Sequence, residues 1–240
     1  MGRLTSESTA SGGTVRYTYN ELSIRKQLTN ARGQKRKFFY DAKGRITGCV
    51  TPEDSYSYTY DQNDNVLTVT DKNGTVSREY DALNRVTKLT DTYGNAIRYE
   101  YDEVGNLTRL IYPDNTAVVY TYDANYNLLS VTDWNCRVTA YTYDVNNRVI
   151  GVCKPDGSTT ATVYDSKQRV TSTVERTASG AVITGFEYTY DDLSRIVEEK
   201  HLDKNTKFCY TYDSLGRVTK RTTKNHCDVV LSEESYSYDS

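Results

Sequence analysis

The dipeptide Tyr-Asp returns along the whole chain at nearly constant spacing, and that period restricts the fold more than any other feature. Copies stand at Tyr40-Asp41, Tyr60-Asp61, Tyr80-Asp81, Tyr101-Asp102, Tyr122-Asp123, Tyr143-Asp144 and Tyr164-Asp165. Three more follow at Tyr190-Asp191, Tyr212-Asp213 and Tyr238-Asp239, and Tyr19-Asn20 is a degenerate first copy. The spacing runs from 20 to 26 residues. A second aromatic often stands two places earlier, as at Tyr58, Tyr99, Tyr120, Tyr141, Tyr188, Tyr210 and Tyr236. After each Asp come two variable residues, a Gly, Asn or polar residue, Arg or Asn, and an aliphatic. Gly44-Arg45-Ile46, Asn84-Arg85-Val86 and Gly216-Arg217-Val218 are examples.

Each part of this unit has a physical meaning. Asp followed three residues later by Gly or Asn is turn chemistry, because the carboxylate bonds backbone N–H groups and the later residue tolerates positive φ. A second turn signal falls in mid-repeat, at Asn30-Ala31-Arg32-Gly33, Asp71-Lys72-Asn73-Gly74, Asp91-Thr92-Tyr93-Gly94 and Pro155-Asp156-Gly157. Two turns in about 21 residues leave two strands of about six residues each, a common strand length. Before each Tyr-Asp the residues alternate, with Ile97, Tyr99 and Tyr101 on one face and Val118, Tyr120 and Tyr122 on another such face. After the turn, apolar pairs stand three apart: Val66/Val69, Val86/Leu89 and Leu128/Val131. Gly, Asn and β-branched neighbours favour a bulged strand there over a helix. The expected fold is all-β, an antiparallel meander of β-hairpin repeats. Tyr-bearing strands would lie two strands apart, about 9.5 Å, with Val66 or Leu107 filling the gaps between Tyr rows.

Composition agrees. The chain holds 23 Tyr but only 3 Pro and 1 Met, and Tyr, Val and Thr suit a half-buried pleated surface. Leu, Ile, Val and Phe make up about a fifth of the residues, at the border of disordered compositions, yet the net charge of −2 supplies none of the repulsion disorder requires. That balance speaks against nucleic acid as a partner, since phosphate binding needs a basic footprint. No run is apolar enough to span a bilayer as a helix. Met1-Gly2-Arg3-Leu4-Thr5 has no hydrophobic stretch behind its charge, so no signal peptide is read. Cys49, Cys136, Cys153, Cys209 and Cys227 are odd in number and irregular in spacing. They read as mostly free, buried small hydrophobes.

Candidate chemistry is sparse. The many Asp residues invite a glycosidase reading, but paired catalytic carboxylates need unlike environments, and here the same Asp recurs in the same turn. A structural cap explains that better. Asp61-Gln62-Asn63-Asp64-Asn65-Val66 begins like a calcium loop, yet Val66 stands where Gly is required and Lys72 where the closing Glu belongs. His201 and His226, with Cys209 and Cys227 nearby, have no short zinc-ligand spacing and read as surface residues. Trp134, in the turn Asp133-Trp134-Asn135-Cys136, is the residue suited to stack on a sugar ring; the alternative is that it folds over the sheet edge. No catalytic, cofactor-binding or metal-binding residue is assigned, and no cofactor is expected.

The pattern Y-x-Y-D-x-x-G-R-(L/V/I)-T resembles the YD repeat, also called the RHS repeat. It occurs in bacterial RHS proteins, wall-associated YD-repeat proteins, insecticidal toxin-complex subunits and teneurins. The resemblance covers residues 1–240 as a single array of about eleven repeats. It implies a hairpin sheet coiling into a spiral, part of a hollow shell that in several relatives encloses a carboxy-terminal toxin. It also implies a non-catalytic, secreted or cell-surface protein whose partners are the remainder of its parent: caps and toxin cargo. Binding of cell-surface or wall glycans through exposed Tyr and Trp134 is the alternative function. Rings buried between repeats would favour the scaffold, and an exposed aromatic row would favour glycans. The stretch from Glu21 to Arg36 is degenerate, and insertions near Thr177–Gly185 and Asn225–Glu234 lengthen two repeats. The chain reads as a piece cut in mid-repeat, with open sheet edges expected to self-associate.

Overall fold

The computed structural model describes residues 2–10, 12–21 and 24–239. Leu22 and Ser23, inside the degenerate stretch, lie outside them. The chain divides into two compact units, Met1–Ala117 and Val118–Ser240.

The first unit holds β1 (Ser6–Ser8), β2 (Thr14–Tyr19), β3 (Arg25–Thr29), β4 (Lys35–Tyr40), β5 (Ile46–Val50) and β6 (Ser55–Tyr60). It continues through β7 (Val66–Asp71), β8 (Gly74–Tyr80), β9 (Val86–Thr90), β10 (Ala96–Tyr101) and β11 (Leu107–Ile111). Each strand pairs antiparallel with the next. Two strands per repeat in sequence order is the expected meander.

In the second unit lie β12 (Ala117–Tyr122), β13 (Leu128–Thr132), β14 (Val138–Tyr143), β15 (Val149–Cys153), β16 (Thr159–Tyr164) and β17 (Val170–Arg176). Then come β18 (Val182–Tyr190), β19 (Ile196–His201), β20 (Thr206–Tyr212), β21 (Val218–Asn225) and β22 (Val230–Ser235). These again pair antiparallel in sequence order. No helix occurs among the described residues.

Alternation sets the two faces of each strand. In β6, Tyr56, Tyr58 and Tyr60 are half-buried while Ser55, Ser57 and Thr59 are exposed. Among the described residues no side chain is fully buried, and the buried apolar ones are Cys49, Ile111 and Val118. Cohesion therefore comes from neighbouring strands rather than from a second layer.

The three-residue apolar spacing has its cause in the register. Tyr58 pairs with Val69 and Tyr60 with Val66, so Leu67 is an extra residue on β7. The same skip occurs opposite Tyr80, Tyr101, Tyr122, Tyr143, Tyr164, Tyr190 and Tyr212. An inserted residue returns the next aliphatic to the Tyr face, which turns a two-residue period into three.

Most hairpins of both kinds close with one geometry; those at Thr51–Asp54 and Asp71–Gly74 are tighter. At the Tyr-Asp turn, Asp81 N–H donates to the Arg85 carbonyl and Asn84 N–H to that of Asp81, each at 3.0 Å. In mid-repeat, Asp91 N–H donates to Asn95 and Gly94 N–H to Asp91. The fourth turn residue is left-handed, with φ of 64° at Asn84 and 88° at Gly94. Tyr126 occupies this position with φ of 66°, where a bulky residue costs about 1–2 kcal/mol. Its ring is 59% exposed, so little packing opposes relief. Tyr126→Gly is expected to stabilise the protein by up to about 1 kcal/mol after the entropy of the unfolded glycine is deducted. Thermal melts would register this as a higher midpoint, and a lower one would show that the ring does structural work.

The two insertions do not form loops. They lengthen β17, β18 and β21 to between seven and nine residues. The turns Thr177–Ala181 and Asn225–Val229 keep the common hydrogen bonds. The surplus is taken up as ladder plus an added bulge, between Glu175 and Arg176 and between Thr223 and Lys224.

Candidate functional site

The recurrent Asp anchors each Tyr-Asp turn. Asp81 Oδ1 accepts the N–H groups of Leu83 at 2.9 Å and Arg85 at 3.0 Å, while Oδ2 accepts Arg85 Nε at 2.7 Å. Asp41, Asp165 and Asp213 repeat this with Arg45, Arg169 and Arg217. Asn65, Asn106 and Asn127 take the Arg role beside Asp61, Asp102 and Asp123. These partners hold the carboxyls below the usual carboxylate range. At Asp144 and Asp213 the Arg148 and Arg217 side chains are the largest cause. At Asp81 and Asp165 it is the backbone N–H of Arg85 and Arg169, and at Asp123 the Asn127 amide.

The Arg then reaches the next repeat. Arg85 Nη1 donates to the Asp102 carbonyl at 2.9 Å, and its guanidinium lies 4.7 Å from the Tyr101 ring centre. Arg45 stacks on Tyr60, Arg148 on Tyr164, Arg169 on Tyr190, Arg195 on Tyr212 and Arg217 on Tyr238, at 4.2–4.6 Å. Each such contact joins a planar cation to a ring face.

The Tyr answers in the opposite direction. Tyr101 O–H donates to the Val86 carbonyl at 2.9 Å, and Tyr80 O–H to that of Val66 at 2.9 Å. Tyr60, Tyr143, Tyr190 and Tyr212 do the same to Ile46, Leu128, Val170 and Ile196, at 2.6–2.8 Å. Every acceptor belongs to the preceding hairpin and adjoins its bulge. Burial pushes the phenols of Tyr60, Tyr101, Tyr143 and Tyr212 up, which keeps them as donors. Asp, Arg and Tyr thus form a clasp between consecutive repeats, with the carboxylate, cation and hydroxyl all engaged within it.

The residues singled out in the sequence fall as follows. Asp61 is filled by the N–H groups of Asn63 and Asn65 and by Asn65 Nδ2. Val66 opens β7, and Lys72 follows the end of that strand, 3.4 Å from Asp54. His226 and Cys227 are exposed on a turn. His201 corrects the surface reading: it is half-buried between Phe186 and Phe208, ring centres 4.9 and 5.0 Å away, with Nε2 2.7 Å from Glu199 Oε1. A strand position pairing with Phe186 placed it there. Cys209 lies opposite Glu198.

All five cysteines are unbridged, as expected, but only Cys49 is buried. Cys136, Cys153 and Cys227 are exposed, contrary to the buried reading, because they occupy turns or a strand end. Trp134 is 52% exposed on its turn. The motif tyrosines are half-buried against neighbouring repeats except Tyr236 and Tyr238 of the last copy, which are exposed, and exposed aromatics such as Tyr93 and Tyr126 stand on turns. Strand composition could not reveal the clasp; its one trace in the sequence is the Arg that stands four residues after the turn Asp, as at Asp81 and Arg85 or Asp165 and Arg169.

The RHS Repeat family matches residues 40–76, 60–96 and 80–117, and the Teneurin YD-shell family matches residues 108–240. No curated protein matches significantly. Among solved structures, the fold is similar to a crystal structure of TcdB2-TccC3-TEV, with a TM-score of 0.57 and 16% identity over 96% of this chain. It is also similar to the Tc holotoxin pore of Photorhabdus luminescens, at 0.56 and 17% over 96%. The chain covers 16% of each of those chains. With its motif, its clasped hairpins and a family match over more than half its length, this chain belongs to the YD-repeat, or RHS-repeat, family of β-shell proteins.

Proposed function

We propose that this chain is a non-catalytic segment of a shell wall, within a secreted or cell-surface protein, that encloses or displays a toxin or effector domain. The observation that carries this reading is the clasp, in which the recurrent Asp, Arg and Tyr are spent on holding one hairpin to the next. A catalytic carboxylate needs a neighbour of contrasting protonation, whereas these Asp side chains share one environment and one direction of shift. The Tc structures of similar fold come from toxin components, which supports other components of such a complex as partners. A glycan-binding role finds less support, because the strand tyrosines are packed rather than displayed.

The test is protection. Protein isolated from its natural source with antibodies to this chain should hold a polypeptide that resists protease until the wall is opened by denaturant. Absence of any protected polypeptide, or turnover of a glycan or ester substrate by homogeneous protein, would overturn the reading.

A further inference from the structure

On the hydroxyl-bearing face of β8 to β11, four of the five strand charges form cross-strand pairs of opposite sign, Arg98 being the exception. Lys88 lies 2.8 Å from Glu79, and Arg109 lies 3.6 Å from Glu100. The strands β2 to β4 break that rule. Residues 14–45 carry nine Lys or Arg against two acidic residues. Register places Arg16 and Lys35 on either side of Thr29, and Lys37 between Gln27 and Val50, all on the face opposite Tyr17 and Tyr40. Lys26, the extra residue of the β3 bulge, shares a surface hollow with Gln27, Lys37 and Phe39.

All four cations are exposed. Among the described residues none of them makes an ion pair, and no strand residue of β1 to β6 places an acidic side chain on this face. Like charges gathered on one sheet face are mutually destabilising, so the arrangement is favourable only when an anionic partner offsets it.

Apolar side chains narrow the choice of partner. Phe39 is 51% exposed and Val50 40% exposed on the same face, next to Lys37. Opposite Phe39 stands Gly48, where a Cβ would come within 3.4 Å of the ring. A partner that offers charge alone, such as a nucleic-acid backbone or a polyuronate, gains nothing from Phe39 and Val50. One aromatic is also too few for a row of stacked bases. A lipid interface uses both features, with cations at the headgroups and apolar side chains at the acyl boundary.

We infer that the Arg16, Lys26, Lys35, Lys37, Phe39 and Val50 face docks on anionic phospholipid membrane. The full chain is expected to co-sediment with phosphatidylcholine vesicles containing phosphatidylserine, and to bind vesicles of phosphatidylcholine alone at least tenfold more weakly. Raised salt should weaken binding. Lys35→Gln combined with Lys37→Gln should weaken it by about thirtyfold, two cations' worth. Phe39→Ala should abolish the part that survives high salt. Both variants alter exposed side chains, and unchanged melting temperatures would verify their fold. Equal binding to neutral and anionic vesicles, no binding to either, or tighter binding to single-stranded DNA or polyglutamate than to anionic vesicles would overturn the assignment.

Discussion

Tyr101→Ala is expected to lower the stability of the first unit by about 3 kcal/mol, the low end for loss of an aromatic ring because this one is half-buried. The ring carries the Arg85 guanidinium on its face and hands its proton to the Val86 carbonyl, so its removal opens both halves of one clasp. Tyr101→Phe keeps the ring and loses only the hydroxyl, which should cost about 1 kcal/mol. A double-mutant cycle with Arg85→Ala should return a coupling of about 0.5–1 kcal/mol for the cation on the ring. Urea melts with hydrogen exchange as a local probe would measure all three. Because repeat arrays sum nearest-neighbour terms, lost protection should centre on the hairpins on either side of Tyr101. A phenylalanine variant as stable as the wild type, together with an alanine variant losing under about 1 kcal/mol, would remove the clasp from any account of stability.

Acid should dissolve the array over a narrow range. The carboxyls of Asp41, Asp61, Asp81, Asp91, Asp102, Asp123, Asp133, Asp144, Asp165, Asp191 and Asp213 are all held below their ordinary value. A carboxyl whose folded pKa is depressed favours the folded state fully at neutral pH. Its contribution starts to fall as pH approaches the unfolded value of about 3.9 and is gone below the folded one. With eleven turns responding in the same direction, melting temperature should be flat from pH 7 to about 5 and then drop steeply. A melting temperature that holds level down to pH 2, or rises, would show that the turns do not depend on ionised Asp.

Much of this architecture could be read from the chain because a local rule recurs. Turns at Asp41–Arg45 and Asn30–Gln34 follow from residue types within five positions, and the alternation in β6 follows from the pleat. The bulge announced itself through Val66 and Val69. What escaped were the contacts between repeats. Periodicity states what returns, whereas Arg85 meeting Tyr101 depends on strand order and register together. His201 and Cys136 escaped for a related reason: a single residue carries no period, and its burial is set by whichever strand or turn position it occupies. The lengthened hairpins after Val170 looked like irregular insertions because an added even stretch of strand and an added loop have the same length in sequence.

Those lengthened hairpins show that the two rims of the sheet obey different rules. Next to the Tyr-Asp turns, Arg169 still stacks on Tyr190 and Arg195 on Tyr212 at the usual distances, although 26 residues separate Tyr164 from Tyr190 and 22 separate Tyr190 from Tyr212. All the added length has gone to the opposite rim. One margin is therefore metrically fixed, while the other tolerates growth by extending a ladder that already exists. Variation can accumulate on the tolerant margin without reopening a single clasp, and that margin is where members of such a family are free to acquire different contacts.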